Sequence, residues 1–569
     1  MTFYKVFHFK YVVIILAVLI TIFTILLILT NNKVIIYDDV EEIHFSKESG
    51  FYNDEFDLEI SSLNGTIYYT LDGSVPTCDS IKYEGPIHVS DASLKDNTYS
   101  MREDISYMYV KNKIVENYYE EKSLAGPQYN IDKCNIVRAI IYYGGDRYSE
   151  VKTASYFIGF EDKNGYDSMN IISIVTDPDN LFGYENGIYI AGKYFDDTVV
   201  ENKENFMDEE LDSRFWNANY TLSGIESERE VSCQFFDVKR NLVLSQACGI
   251  RIHGGATRSS SQKSFNLYAR DEYNGENYFY GDFFGNEYSP HSICLSQGGN
   301  DDSCKLNDYL INDLASYQNF STMDFVPYVL FLNGEYWGVY WMTEKYDKEY
   351  IHYHYGVDSN NVIIVKENYL KEGESRDYEE YSKMMDFCTN SDMSIADNYR
   401  QACELIDIDS YIDYYATMIY LSRHSDWPVG NEALWRSRKT GDGKYEDGKW
   451  RWMLFDVNWG AMDERNIAFD SIEYTMAASP MFANFMSNDN FKDRFLNKLT
   501  ELYKTIFLCS NVENKIVDFE SLMDEPILYN NKRFYGLDSY DMYSQHVGEI
   551  RNYFEKRGDN VKLIIEKYR

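Results

Sequence analysis

The stretch SDWPVGNEALWRSRKTGDGKYEDGKWRWMLFDVNWG, Ser425 to Gly460, decides how the rest of the chain is read. It sets down Asp426 and, after four intervening residues, Asn431. A dense aromatic run, Trp450-Arg451-Trp452-Met453-Leu454-Phe455, then stops abruptly on Asp456. Such a run reads as a buried strand, so the stretch offers a carboxylate and an amide around a turn and a second carboxylate at a strand end. Taken singly, Asp426 two residues before Pro428 is an ordinary turn residue and Asp456 an ordinary strand terminator.

The chemistry that wants these residue types in this order is phosphoryl transfer. A carboxylate orients the attacking hydroxyl and takes its proton, while hard oxygen donors hold Mg²⁺ against the phosphates. Protein kinases set out a catalytic Asp, an Asn after four intervening residues and a metal-binding Asp after a later strand in that sequence. Asp426 suits the first task, Asn431 and Asp456 the second.

Working outward, Cys248 to Arg270, CGIRIHGGATRSSSQKSFNLYAR, alternates apolar and polar residues on either side of Gly254-Gly255. It predicts two strands joined by a Ser-rich loop, with Arg258 in the loop and Lys263 entering the second strand, as a kinase places the lysine that holds α- and β-phosphates. No Walker motif is present. Val326 to Glu344, VPYVLFLNGEYWGVYWMTE, predicts a hairpin turning at Asn333-Gly334 and running out at Glu344, where an interlobe hinge would meet the adenine. From Asp347 onward the period turns helical, in Tyr381–Cys388, Ile406–Leu421, Asn490–Phe507 and Ser544–Tyr568. Strands first and helices later make an α+β, two-lobed layout.

Further upstream, residues 57–160 carry short β-branched and aromatic runs, Leu58–Ile60, Thr66–Thr70, Pro86–Val89 and Asn135–Tyr143, separated by turns such as Asp72-Gly73. This is the pattern of a small all-β sandwich. Residues 30–56 read as a linker. Tyr11 to Leu29 is uncharged and long enough to span a bilayer as a helix. Basic residues precede it and acidic ones follow, so the short N-terminus, 1–10, is expected in the cytosol and the bulk of the chain outside, on an uncleaved anchor.

A chain of 569 residues predicts roughly two to four domains. With 92 acidic against 54 basic residues it repels phosphate backbones, which excludes nucleic acid as the partner. The nine cysteines contain no C-x-x-C spacing, which removes the usual zinc and thioredoxin signatures. Cys78 with Cys134, and Cys233 with Cys248, are plausible pairs outside the cytosol.

Several blocks then agree: ISIVTDPDNLF, IRIHGGATRSSSQKSFNLYAR, LNGEYWGVYWMTEKYD, DWPVGNEALWR, KWRWMLFDVNWG and a closing helix with FEKRGDN. Together they resemble the CotH family of spore-coat and surface-exposed atypical protein kinases over residues 170–569, with an N-lobe at about 170–345 and a C-lobe at about 346–569. The segment Ile67 to Val89 resembles the β-sandwich at the C-terminal end of chitobiases and β-hexosaminidases, an accessory module with a spacer or glycan-contacting role. The CotH resemblance implies a membrane-anchored enzyme that uses Mg²⁺ and ATP to phosphorylate Ser/Thr of surface or coat proteins. By position it makes Lys263, Arg258 and Glu344 ATP-binding, Asp426 catalytic, and Asn431 and Asp456 metal ligands. Three departures stand out. Gly430 replaces an Asn, Asn458 replaces the second acid of D-x-D-W, and Asn300 to Leu310 lacks the Arg-Asn pair of relatives. For the partner of Lys263, Asp308 and Asp313 are the candidates. The alternative is a catalytically weak or inactive kinase-like surface protein that binds glycans or coat proteins. A glycoside hydrolase would need two carboxylates set across a cleft, which no motif nominates.

Overall fold

A computed structural model describes residues 42–569 apart from 115–125, 162, 164, 203–212, 274, 286–287, 423–425, 462–463 and 537–538. The proposed membrane anchor at 11–29 lies outside the described residues. Among the described residues no helix is long and apolar enough to cross a membrane.

Strand Asn170–Val175 opens a closed barrel of seven strands, continued in spatial order by Arg229–Phe236, Leu242–His253, Ser264–Tyr268, Ser292–Ser296, Glu335–Thr343 and Phe325–Leu332. All neighbours are antiparallel except the closing pair, where Ile171 lies opposite Val329 in parallel. Period-two alternation sends Ile250, Ile252, Phe265, Leu267, Leu330 and Met342 into one buried cluster. Closure leaves the barrel no open edge. Asn333 and Gly334 turn the Phe325–Thr343 hairpin with φ of 45° and 84°, the left-handed pair that a two-residue loop needs.

The second lobe surrounds a four-stranded sheet in the order Tyr369–Glu372, Val362–Lys366, Ala433–Ser437, Arg451–Met453. Helix Ile408–Tyr420 is buried from Ser410 to its end, which its Tyr- and Ile-rich sequence dictates. Asp407 caps its start, the side chain accepting from the amides of Asp409 and Ser410. Helices Ser375–Asn390, Asp489–Lys504 and Ser539–Tyr568 fall over the segments where the sequence shows helical period. The 27-residue helix Cys509–Tyr535 lies outside those segments and carries Pro526 in its interior, a residue that disfavours helix. Burial of Val512, Ile516, Phe519, Met523 and Ile527 overrides that local signal.

The N-terminal module is a six-stranded sheet accompanied by two short two-stranded ladders around its own apolar cluster. It is not a tethered spacer. Phe157 meets Phe331 and Phe236 of the barrel at ring distances of 5.1 and 5.6 Å, and the amide of Cys134 donates to Gly334 O at 2.8 Å. A segment between its strands reaches farther: the amides of Thr98 and Ser100 donate to the Glu335 carboxylate at the hairpin tip.

Cys78 and Cys134 do not pair. Cys78 accepts from the Tyr148 hydroxyl, and Cys134 is buried at the barrel contact. Cys233 and Cys248, on neighbouring strands, bring their sulfurs to 3.2 Å as thiols. Refolding with oxidised glutathione should therefore link them, seen as a cross-linked peptide 2 Da lighter by mass spectrometry. Two separate alkylated peptides would refute this.

Candidate functional site

Strand register brings the predicted metal ligands together. Lys366 lies opposite Ala433, and Ala433 opposite Met453, so one end of the sheet is a row made by the end of one strand, the start of the next and the end of a third. Asn431 stands two residues before that row and Asp456 three residues after it. Both leave the sheet at the same end, and both take left-handed backbone, with φ of 52° and 57°. Asn431 is buried and its side-chain amide nitrogen has no partner among the described residues, while the Tyr414 hydroxyl donates to its carbonyl. Asp426 is exposed on the turn just ahead, where the amide of Gly430 donates back to its carbonyl.

The other lobe supplies a residue that spacing could not nominate as part of this site. Helix Asn307–Ala315 presents Asp308, whose carboxylate accepts from the amide of Val457 at 2.9 Å, beside Asp456. Burial pushes Asp308 up to about 7, and the charge of Asp456 adds to the rise. Asn458 orders this junction. Its amide nitrogen donates to Asp456 at 2.6 Å, and its amide oxygen accepts from the backbone of Asn300 at 3.1 Å. An Asp at 458 would lose the donor and set a second charge against Asp456. The departure from D-x-D-W thus has a local compensation. Gly299, at φ 66°, lets the loop approach, since a Cβ there would lie 2.5 Å from the Asn458 amide nitrogen.

The phosphate-binding expectation for Lys263 meets a different arrangement. Its ammonium is fully buried and donates to Ile105 O at 2.6 Å, Arg258 O at 2.7 Å and Ser260 O at 2.8 Å, with the Tyr220 ring centre at 4.2 Å. Three N–H donors for three carbonyls leave none over for a phosphate. Burial holds its pKa well below the usual lysine range. Neither candidate partner pairs with it: Asp308 bonds Val457, and Asp313 pairs with Lys515 at 2.6 Å. Lys263→Met should cost about 2–3 kcal/mol of stability, the scale of charge-assisted hydrogen bonds, measured by urea unfolding. Unchanged stability with weakened nucleotide binding would restore the phosphate role.

Arg258 is likewise occupied in part, donating from Nε to Gly254 O at 2.6 Å and from Nη1 to Leu222 O at 2.9 Å. Glu344 follows the last barrel strand at the join between lobes. Its buried carboxylate accepts from the Asp324 amide at 3.0 Å and meets His354 Nε2 at 2.7 Å, so the side chain braces the join. A cavity of about 150 Å³ lies by the turn, lined by Pro428, Val429, Gly430, Tyr415, Glu432 and Met481. Small-molecule sites run to roughly 300–1,000 Å³, so this one is too small for a nucleotide.

Among the described residues no group of three or more His, Cys, Asp or Glu is placed to hold a metal ion. The oxygen donors at the junction are two carboxylates, Asp308 and Asp456, and the amide oxygen of Asn431. That set suits Mg²⁺, which is held by few carboxylates and keeps several waters. Two half-buried carboxylates whose charges repel are also what a divalent cation relieves.

No curated protein matches the chain. Residues 57–156 match the family model described as Fn3 associated, and the module ahead of the barrel takes that description. Residues 250–561, more than half of the chain, match the model described as CotH kinase protein. The barrel itself begins earlier, at Asn170. With two lobes, an acidic junction between them and this match, the chain belongs to the CotH kinase family.

Proposed function

We propose that this protein is an active kinase that moves the γ-phosphate of ATP, with Mg²⁺, onto Ser or Thr hydroxyls of proteins outside the membrane that anchors it. The observation that carries this reading is the departure of Asn431 and Asp456 from one sheet end, against Asp308 of the opposite lobe. Asp426, exposed on the adjoining turn, is free to accept the hydroxyl proton and to orient the oxygen for attack. Asn431, Asp456 and Asp308 would hold Mg²⁺, which when bound neutralises phosphate charge. Asn458 keeps the Asp456 carboxylate oriented.

The test uses the full-length chain in detergent with γ-labelled ATP, Mg²⁺ and a mixed Ser/Thr protein acceptor. Label should transfer with the native protein and fall to background with Asp426→Ala. Equal labelling by both would remove the enzyme reading. A second reading, a non-catalytic surface protein, is favoured by the commitment of Lys263 to carbonyls. It predicts no transfer from either protein.

Metal binding has its own readout. The folded-state pKa of Asp308 is raised from 3.8 to about 7, so the stability this group contributes is whole below 3.8 and lost as pH rises through about 7. Above that pH the carboxylate is charged and a cation offsets the loss. Millimolar Mg²⁺ should therefore raise Tm by about 1 °C for each kcal/mol of binding at pH 8, and by less at pH 5.5. An equal rise at both pH values would count against Asp308 as a ligand.

A further inference from the structure

We propose that Lys345 and Lys366, one from each lobe, hold the polyphosphate of the nucleotide, in place of Lys263. The inference rests on the phosphotransfer reading and assigns its anion site.

Lys345 lies in the join between the lobes, immediately after Glu344. Its ammonium donates to the Tyr268 hydroxyl at 3.4 Å and sits 4.7 Å from the centre of that ring. The next residue, Tyr346, donates its hydroxyl to Leu454 O at 2.7 Å, two residues before Asp456, so the join is fastened to the acidic loop. Lys366 ends its strand in the same row from which Asn431 and Asp456 depart, and its ammonium lies 3.9 Å from the centre of the Phe455 ring. Both lysines are half-buried, and among the described residues neither ammonium is in an ion pair. Partly buried ammonium groups supported by aromatic faces, without a carboxylate, lack a compensating anion.

A third group reports where the two charges converge. His253 ends a barrel strand beside Gly254-Gly255, its Nδ1 3.2 Å from the Asn266 side-chain nitrogen. Burial pulls its pKa down to about 3, and Lys345, Lys366 and Arg258 each add to the fall. Cations from the barrel loop, the join and the second lobe thus all act on this ring, while Lys366, over the Phe455 ring, also feels the charge of Asp456. A chain of phosphates placed there would neutralise the lysines and reach the acidic junction, where a metal ion is expected. Lys263, buried against Ile105, Arg258 and Ser260, has no donor to give.

The experiment measures binding of a fluorescent ATP analogue, with Mg²⁺, to the full-length protein in detergent. Lys345→Met and Lys366→Met should each weaken binding about tenfold or more. Lys345→Arg and Lys366→Arg should recover most of it, and inorganic tripolyphosphate should compete. Lysine acylation read by peptide mass spectrometry gives a result that needs no variant: ATP should protect Lys345 and Lys366 at least fivefold while exposed Lys239 stays reactive. If the native protein binds the analogue and both Met variants bind as tightly, or ATP protects neither lysine, this assignment falls and the kinase reading stands. If tripolyphosphate fails to compete, the assignment also falls. If the native protein binds no nucleotide at all, both fall together.

Discussion

Arg557→Met should lower the free energy of unfolding by about 3–5 kcal/mol, because several buried acceptors are left without a donor at roughly 1–3 kcal/mol each, offset in part by relaxation. Arg557 is fully buried on helix Ser539–Tyr568, within the FEKRGDN segment. It donates to Ile419 O and Tyr420 O at 3.0 Å each, to Ile467 O and Phe469 O at 2.9 Å, to Asn466 O at 3.3 Å and to Ser471 Oγ at 2.8 Å. Two of these acceptors end helix Ile408–Tyr420, where a cation complements the helix dipole. The others lie on the segment that follows Asp456. One guanidinium thus ties the element leading into Asp426 to the element leaving Asp456. Methionine fills similar space but leaves these acceptors buried without donors. Arg557→Lys, which keeps the charge and loses the fork, should fall in between. Urea unfolding checks the ranking, and a loss under about 1 kcal/mol for the Met variant would show that water or rearrangement replaces the guanidinium.

What was legible in the sequence was local. The alternation around Gly254-Gly255, the Asn333-Gly334 turn and the aromatic run before Asp456 each gave an element in its place, because period and turn chemistry act over a few residues. The closing of the barrel was not legible. It depends on parallel pairing of Asn170–Ile174 with Tyr328–Leu332, and no local pattern encodes a partner so distant. Lys263 shows the same limit. Entry into a strand beside a Ser-rich loop suggested a phosphate ligand, yet Ile105, 158 residues away, supplies one of the carbonyls that occupy it. Asp308 was legible only as a possible partner of Lys263, and its place beside Asp456 comes from packing of the two lobes, which no local pattern encodes. Lys366 did leave a trace, as a lone cation closing the apolar run Val362-Ile363-Ile364-Val365. Asn458, a departure from the D-x-D-W of relatives, is a donor to Asp456.

Asp456→Asn should reduce phosphoryl transfer by at least ~10²–10³-fold, the scale on which loss of one preorganised electrostatic group acts. The fold should survive it. Asp456 sits at φ 57°, a backbone region that Asn adopts as readily as Asp, whereas Ala would add strain there. An amide oxygen can still accept from the Asn458 nitrogen, so the hydrogen bond weakens from charged to neutral without being lost. What disappears is the second carboxylate of the junction, and with it the repulsion that adds to the raised pKa of Asp308. Two readouts should therefore move together while the midpoint of unfolding without Mg²⁺ stays put or rises slightly. Label transfer should collapse, and the rise in Tm with Mg²⁺ should shrink. If transfer collapses while the Mg²⁺ response keeps its full size, Asp456 acts on the phosphates by some route other than the metal. If transfer persists at the native rate, the acidic junction is not where the chemistry occurs.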